Sequence, residues 1–172
     1  MLKADMIEDL SKEQLLELNK IYAKNWLAHD GLWFQSIEEK YGMDMAISMD
    51  IEAWRKFTVI EARRLIEFLG LGKNSGIDGL KKALSFRLYS SLNQDEILVE
   101  GNTLIYRVKT CRVQDARRRK GLPDFPCKAV GIVEYSLFAK TIDERFETEA
   151  VSYYPDINDT DYNCIWKFTL TN

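Results

Sequence analysis

Three cysteines, Cys111, Cys127 and Cys164, lie in the last third of this 172-residue chain, and no cysteine precedes them. Cys111 ends an alternating strand, Cys127 follows a proline at the start of a predicted helix, and Cys164 lies within an aromatic strand. Thiols from three separate elements can converge on a metal ion, on a small molecule or on each other. Free cysteine is also among the most buried residue types, so simple packing in the core remains an alternative.

Cys127 is the candidate nucleophile. If Pro126 opens the helix, the thiol lies in the first turn, where unpaired N–H groups and the helix dipole favour a thiolate. The basic run from Arg112 to Lys120 would add positive charge and lower the pKa of the thiol further. In that interpretation Cys127 and Arg117 are catalytic, with Arg117 orienting the substrate, although such a run is more typical of a solvated helix face.

A metal site is the second interpretation, with Cys111, Cys127 and Cys164 as ligands to Zn or Fe. The spacing of the cysteines, with 15 and 36 residues between them, matches no compact zinc motif. His29 is the only histidine in the chain, so its imidazole is the one available as a fourth ligand. For a small-molecule site the predicted ligand-binding residues are Cys111, Cys164, Trp166 and Arg112, with Arg112 pairing with an anionic group.

The strand pattern gives the two strand cysteines different surroundings. Cys111 falls on the mixed face that carries Arg107 and Lys109, which predicts partial exposure. Cys164 shares a face with Trp166 and Phe168, which predicts a place in the core.

The first part of the chain has helical periodicity. Ser11 and Gln14 form a capping-box pattern ahead of an apolar stripe that should end at Gly42, with a break expected near 29–31. A second helix is predicted over 44–69, with a bend or break at Thr58. Two long helices joined by a short turn should pack antiparallel. The apolar residues of 77–92 fit both the helical spacing of three to four residues and the strand spacing of two. We predict a short helix that changes to a strand near Ala83.

The second part of the chain changes to a period of two. Residues 96–100 and 103–111 predict a β-hairpin across Gly101-Asn102. The remaining predicted elements are a basic helical turn over 112–120, a loop over 121–126, a helix over 127–141, and strands over 146–154 and 162–170.

Composition limits the class of protein. Apolar residues make up 46% and charged residues 30%, and the net charge is −3, which argues against a nucleic-acid or membrane partner. The sequence has no charged-then-apolar leader and no apolar run of about 20 residues, so we predict a cytoplasmic protein without a disulfide scaffold.

Several stretches of the chain carry a resemblance to known proteins. They are Cys111–Gln114 with Arg117, Gly121–Cys127, Pro155-Asp156 and Cys164–Phe168. They resemble an uncharacterised family of bacterial and archaeal cytosolic proteins. This family is distantly similar to the L-2-amino-thiazoline-4-carboxylic acid hydrolases and to vinyl-reductase-type small-ligand-binding domains. The resemblance implies helices covering one face of an antiparallel sheet around a small-ligand cavity, with the cysteines near it.

The sequence therefore predicts a single α+β domain over 1–172. N-terminal antiparallel helices (1–72) pack on a mostly antiparallel sheet with one further helix (77–172). The leading functional hypothesis is a small-molecule- or metal-binding domain with a cysteine-lined site. The alternatives are a cysteine-dependent hydrolase of a small C–N or C–S substrate and an interaction protein with core cysteines. Self-association is left open.

Overall fold

A computed structural model describes residues 5–172. These residues form five helices and one antiparallel sheet of four strands, which confirms the α+β class. The helices are α1 (Lys12–Tyr41), α2 (Met43–Leu69), α3 (Gly76–Ser85), α4 (Arg112–Arg119) and α5 (Lys128–Ile142). The strands are β1 (Gln94–Glu100), β2 (Thr103–Thr110), β3 (Phe146–Ser152) and β4 (Cys164–Leu170). Residues 1–4, part of the stretch predicted to contain no leader, lie outside the described range.

Helices α1 and α2 form a hairpin at a single residue, Gly42, whose φ of 86° suits glycine. The predicted capping box starts α1: Ser11 N–H donates to Gln14 Oε1 (2.8 Å), and Gln14 N–H donates to Ser11 Oγ (3.3 Å). The Trp26 and Phe57 rings stack with centroids 5.2 Å apart. These residues lie at similar distances before and after the turn, so the two helices run antiparallel.

Both predicted breaks in the long helices are wrong. Helix α1 continues through 29–31, since one glycine in a helix costs only about 1 kcal/mol and does not end it. Helix α2 continues through Thr58, whose hydroxyl donates across the core to the Glu134 carbonyl oxygen (3.1 Å) instead of capping a new helix.

The segment after Gly76 begins as the predicted helix but stays helical through Ser85, so the change to a strand expected near Ala83 is wrong. Leu80, Ala83 and Leu84 are fully buried, and their spacing of three and four places them on one helical face. A strand would turn alternate residues away from the core, so the helical pattern prevails. Helix α3 is followed by a short 3-10 turn, Leu88–Ser91, before β1 begins.

The sheet has the order β1-β2-β4-β3, and each neighbouring pair is antiparallel. The hairpin of β1 and β2 turns at Gly101-Asn102 as predicted. On the central pair, Leu104 lies opposite Phe168, Tyr106 opposite Trp166 and Val108 opposite Cys164. Apart from Cys164, which is half-buried, these side chains are buried, so this face of the sheet forms one wall of the core.

Helix α5 lies between the sheet and α2, and it packs against both. Its approach to β4 is close at Gly131, where a Cβ atom would lie 2.6 Å from Cζ2 of Trp166. A second apolar cluster around Trp54, Phe125 and Val130 fills the space between the α1–α2 hairpin and the start of α5. No helix among residues 5–172 is both long enough and apolar enough to cross a membrane.

Candidate functional site

A cavity of about 150 Å³ lies between the helical hairpin and the sheet. Its wall is built from α1, α2, α4, α5 and the inner ends of β2 and β4. All six residues singled out from the sequence line it: Cys111, Arg112, Arg117, Cys127, Cys164 and Trp166. The fold thus places these side chains together, while their binding and catalytic roles stay predictions.

Cys127 is half-buried immediately before α5, where its carbonyl oxygen accepts the Gly131 N–H (2.8 Å). Burial raises the pKa of its thiol to about 11, and the neighbouring Cys111 thiol raises it further. The expected lowering by the helix start does not occur, because desolvation of a thiolate outweighs the dipole. Cys127 is therefore a neutral thiol at pH 7.

The other two thiols share this environment. Burial raises the pKa of Cys111, and it raises the pKa of Cys164 well above the usual range. Cys164 also accepts a hydrogen bond from Trp166 Nε1 (3.3 Å). Cys111 lies just beyond the end of β2, not on its mixed face, because the chain turns into α4 there and directs the residue toward the core cluster.

Two arginines of the basic run are held in ion pairs with acidic side chains. Arg117 is 3% exposed and forms a two-pronged ion pair with Glu38 (2.7 and 2.8 Å), and its Nε donates to the Pro123 carbonyl (2.6 Å). Arg118 pairs with Asp124 (2.9 Å). The expectation of a solvated face is wrong for Arg117, whose charge joins α4 to α1.

Arg112 has a more open position. Its side chain is exposed, and Nε donates to the Leu92 carbonyl (3.1 Å). It lies on the cavity wall without an acidic partner within ion-pair distance among residues 5–172. The predicted contact to an anionic ligand group stays a prediction.

His29 does not contribute to the cavity. It is exposed on α1, while the next residue, Asp30, lines the wall. The suggested role of His29 as a fourth metal ligand is therefore wrong for this geometry. Within the described part of the chain, no three side chains of His, Cys, Asp or Glu are grouped closely enough to hold a metal ion.

Three acidic side chains on the cavity wall were missed by sequence reasoning: Asp30 on α1, Asp50 on α2 and Glu134 on α5. Burial raises their pKa values to about 6, about 7 and about 7. The one signal in the sequence was Glu134, a lone acid within the apolar stretch 129–139. An acid at the centre of an apolar helix is rare unless it is paired.

Glu134 belongs to a buried network centred on Arg87. Arg87 is 3% exposed, and its Nη2 lies 2.7 Å from both Glu61 Oε2 and Glu134 Oε1. The contact to Glu61 is a hydrogen bond, whereas the contact to Glu134 is an ion pair outside hydrogen-bond geometry. The rings of Trp54, Tyr89 and Tyr135 surround the guanidinium at 5.4–5.9 Å. This network holds one side of the cavity in place.

The fold and its site define an α+β domain with a thiol- and carboxyl-bearing cavity between its two layers. Residues 8–170 match the model of a family of unknown function, DUF6125, and the chain belongs to that family. No curated protein and no solved structure matches the chain. The remote likeness to the thiazoline hydrolases and vinyl-reductase-type domains stays a prediction.

Proposed function

We propose that this protein binds a small organic molecule in the cavity between the α1–α2 hairpin and the sheet. One observation carries the proposal: residues from both layers, including all three cysteines and Trp166, line a single cavity. Pockets for small molecules are typically apolar with a few polar groups placed at fixed points. The aromatic rings and thiols of this wall, interrupted by Asp30, Asp50 and Glu134, match that description.

The cavity volume limits the size of the ligand. An engineered protein cavity of about 150 Å³ accommodates benzene, so the part of the ligand enclosed here should be about the size of one aromatic ring. The cysteines contribute a polarisable surface to the cavity wall. In this function they act as neutral thiols, in agreement with their raised pKa values.

The test is binding of benzyl alcohol, a neutral one-ring probe, followed by NMR of the indole N–H resonances of Trp54 and Trp166. Ala116, which lines the cavity, is changed to Phe to fill it, and the exposed Ala53 on α2 is changed to Phe as the matched control. We expect saturable shifts in the wild type and in Ala53→Phe and none in Ala116→Phe. Absence of binding to the wild type, or equal binding to Ala116→Phe, would contradict the proposal.

A cysteine-dependent hydrolase of a small C–N or C–S substrate is the second candidate. The observation in its favour is that Glu134, with a pKa of about 7, lines the same cavity as Cys127 and influences the pKa of its thiol. A carboxylate with such a pKa is suited to accept the thiol proton as the sulfur attacks an electrophilic carbon. Turnover of a substrate would have to be lost in both Cys127→Ser and Glu134→Gln to support this candidate.

The prediction that Cys111, Cys127 and Cys164 bind Zn or Fe is tested separately. Elemental analysis is made on protein purified without air or chelators. About one metal ion per chain, lost when Cys127 is replaced by Ser, would support a metal site. Metal-free protein that still binds the neutral probe would leave the small-molecule function as the better account.

A further inference from the structure

Resting on the function proposed above, we propose that the ligand is a small organic cation, held by Asp30, Asp50 and Glu134 against the aromatic wall of the cavity. The sequence pattern predicts an anionic group at Arg112, so the two assignments differ in the sign of the ligand's charge. The inference concerns the inner part of the cavity, whereas Arg112 is exposed.

The three carboxyl groups come from three helices that converge on the cavity. Asp30 lies on α1, Asp50 on α2 and Glu134 on α5, and all three line the same wall. Asp30 and Asp50 form no ion pair with any residue of 5–172. They influence one another, since burial and then the charge of Asp30 raise the pKa of Asp50. The neighbouring His29 lowers the pKa of Asp30 less than burial raises it. Partly buried carboxyls without an ion-pair partner are costly unless a ligand compensates them.

The cationic side chains among residues 5–172 do not balance these three carboxyl groups. Arg87 contacts Glu134, but the same nitrogen also pairs with Glu61, so one guanidinium serves two carboxylates. Arg117 is matched by Glu38. The inner wall therefore holds more carboxyl groups than matching cations, and a ligand cation would favour the ionised form of these carboxyls.

A second observation concerns polar groups that have no hydrogen-bond partner among residues 5–172. Tyr135 is only 8% exposed and lines the cavity, yet its hydroxyl forms no hydrogen bond with any residue of the described chain. Asn163, on the same wall, donates its amide N–H to the Lys109 carbonyl (2.7 Å), while its buried Oδ1 accepts nothing from residues 5–172. These oxygens can accept hydrogen bonds from the N–H groups of an ammonium or amidinium ligand.

The aromatic side chains suit the same class of ligand. The rings of Trp54 and Tyr89 stack with their centroids 6.1 Å apart, and the ring centroids of Tyr135 and Trp166 are 4.6 Å apart. All four rings line the cavity. Ring faces attract an organic cation, and the attraction is larger where water is excluded. Carboxylates on one side of the cavity would bind the charged end of the ligand. The ring faces around the rest would contact its apolar body.

The raised pKa values of these acids support the geometric argument. Burial holds the pKa of Asp50 and of Glu134 at about 7. A bound cation would favour the ionised carboxylates and lower both values. Binding at pH 7 should then release protons from the protein.

The experiment compares three probes of nearly the same shape: benzamidinium, benzamide and benzoate, which are positive, neutral and negative. Isothermal titration calorimetry measures their binding to the full chain at pH 7.5. We expect benzamidinium to bind most tightly, benzamide about tenfold more weakly, and benzoate not measurably, as loss of charge-assisted hydrogen bonds implies. The substitution Asp50→Asn should weaken the binding of benzamidinium by about tenfold and change the affinity for benzamide by less than about twofold. The exposed Asp78→Asn is the matched control and should leave both unchanged.

The outcomes separate this inference from the function on which it rests. If benzamide or benzoate binds as tightly as benzamidinium, or if Asp50→Asn weakens all probes equally, the cation assignment is overturned while the cavity still binds small molecules. If neither these probes nor benzyl alcohol binds, the proposed function itself fails. Preference for benzamidinium that Asp50→Asn removes would support the inference.

Discussion

At the residue scale, burial controls the chemistry of the thiols more than the charges in the neighbouring sequence do. Cys127 has a helix start beside it and a basic run before it, the two features that ordinarily lower a thiol pKa. The side chains of Arg117 and Arg118 are engaged by Glu38 and Asp124, and desolvation dominates. A nucleophilic role for Cys127 would therefore require a base within the cavity.

This environment predicts slow alkylation of the native protein. With a pKa of about 11, Cys127 should react with iodoacetamide at pH 7.5 about 100-fold more slowly than a free cysteine, and its rate should rise with pH up to about 11. Mass spectrometry of timed samples gives the rate for each thiol. In guanidinium chloride all three should react at the rate of free cysteine. A native thiol that reacts at that rate at pH 7.5 would contradict the prediction and favour the nucleophile.

At the element scale, α5 supplies part of the cavity wall between α2 and the sheet. It carries Glu134 and Tyr135 toward the cavity, and its N-terminal turn approaches Trp166 on β4 through Gly131. By helix propensity alone this glycine weakens the helix. The structure shows why a larger residue does not fit there: the indole ring occupies the space of the missing side chain.

Two glycine substitutions test the close contact between α5 and Trp166. Gly131→Ala would place its Cβ 2.6 Å from Trp166, so we expect it to lower the free energy of unfolding by about 1–3 kcal/mol. Gly31→Ala on α1 is the matched control, because its Cβ meets no atom within 4 Å, and it should be neutral or stabilise by up to about 1 kcal/mol. Urea denaturation measures both. Equal effects of the two changes would show that the contact with Trp166 does not determine the position of α5.

At the scale of the whole molecule, the acids of the cavity make stability depend on pH. Asp50 and Glu134 keep their protons up to about pH 7 in the folded chain, whereas their ordinary pKa values are 3.8 and 4.5. Between these limits the folded state binds more protons than the unfolded state, so the free energy of unfolding falls as pH rises. The lowered pKa values of Glu38 and Asp143 act in the opposite direction, since their stabilisation is lost in acid.

We therefore expect maximal stability near pH 5 and a decrease toward pH 8, measured by urea denaturation without ligand. Asp50→Asn should be more stable than the wild type at pH 8, by on the order of 1–3 kcal/mol, and the gain should be smaller at pH 5. Exposed Asp78→Asn should follow the wild type at every pH. Stability that is constant or rises from pH 5 to pH 8 would contradict the assignment of raised pKa values. Self-association of the chain stays a prediction, for sedimentation analysis to test.

Much of the fold follows from the sequence because the signals are local. The capping box at Ser11, the glycine at position 42 and the turn at Gly101-Asn102 each act on residues a few positions away. The change from a period of three to four to a period of two likewise identifies helices and strands from neighbouring residues. The strand predicted within residues 77–92 is wrong because their apolar positions satisfy both periods, and only contact with the core favours the helix.

Sequence patterns alone were enough for the α+β class, most element bounds and a set of residues that the fold brings to one cavity. The chemical state of those residues depends on the tertiary structure. Arg117 and Glu38 are 79 residues apart in sequence, and Asp30 and Glu134 are farther apart still, yet each pair meets at one site. Desolvation and charge pairing depend on such distant neighbours, which no local pattern contains. For this reason a thiol expected to be ionised is neutral, and three acids without a motif lie on one cavity wall with raised pKa values.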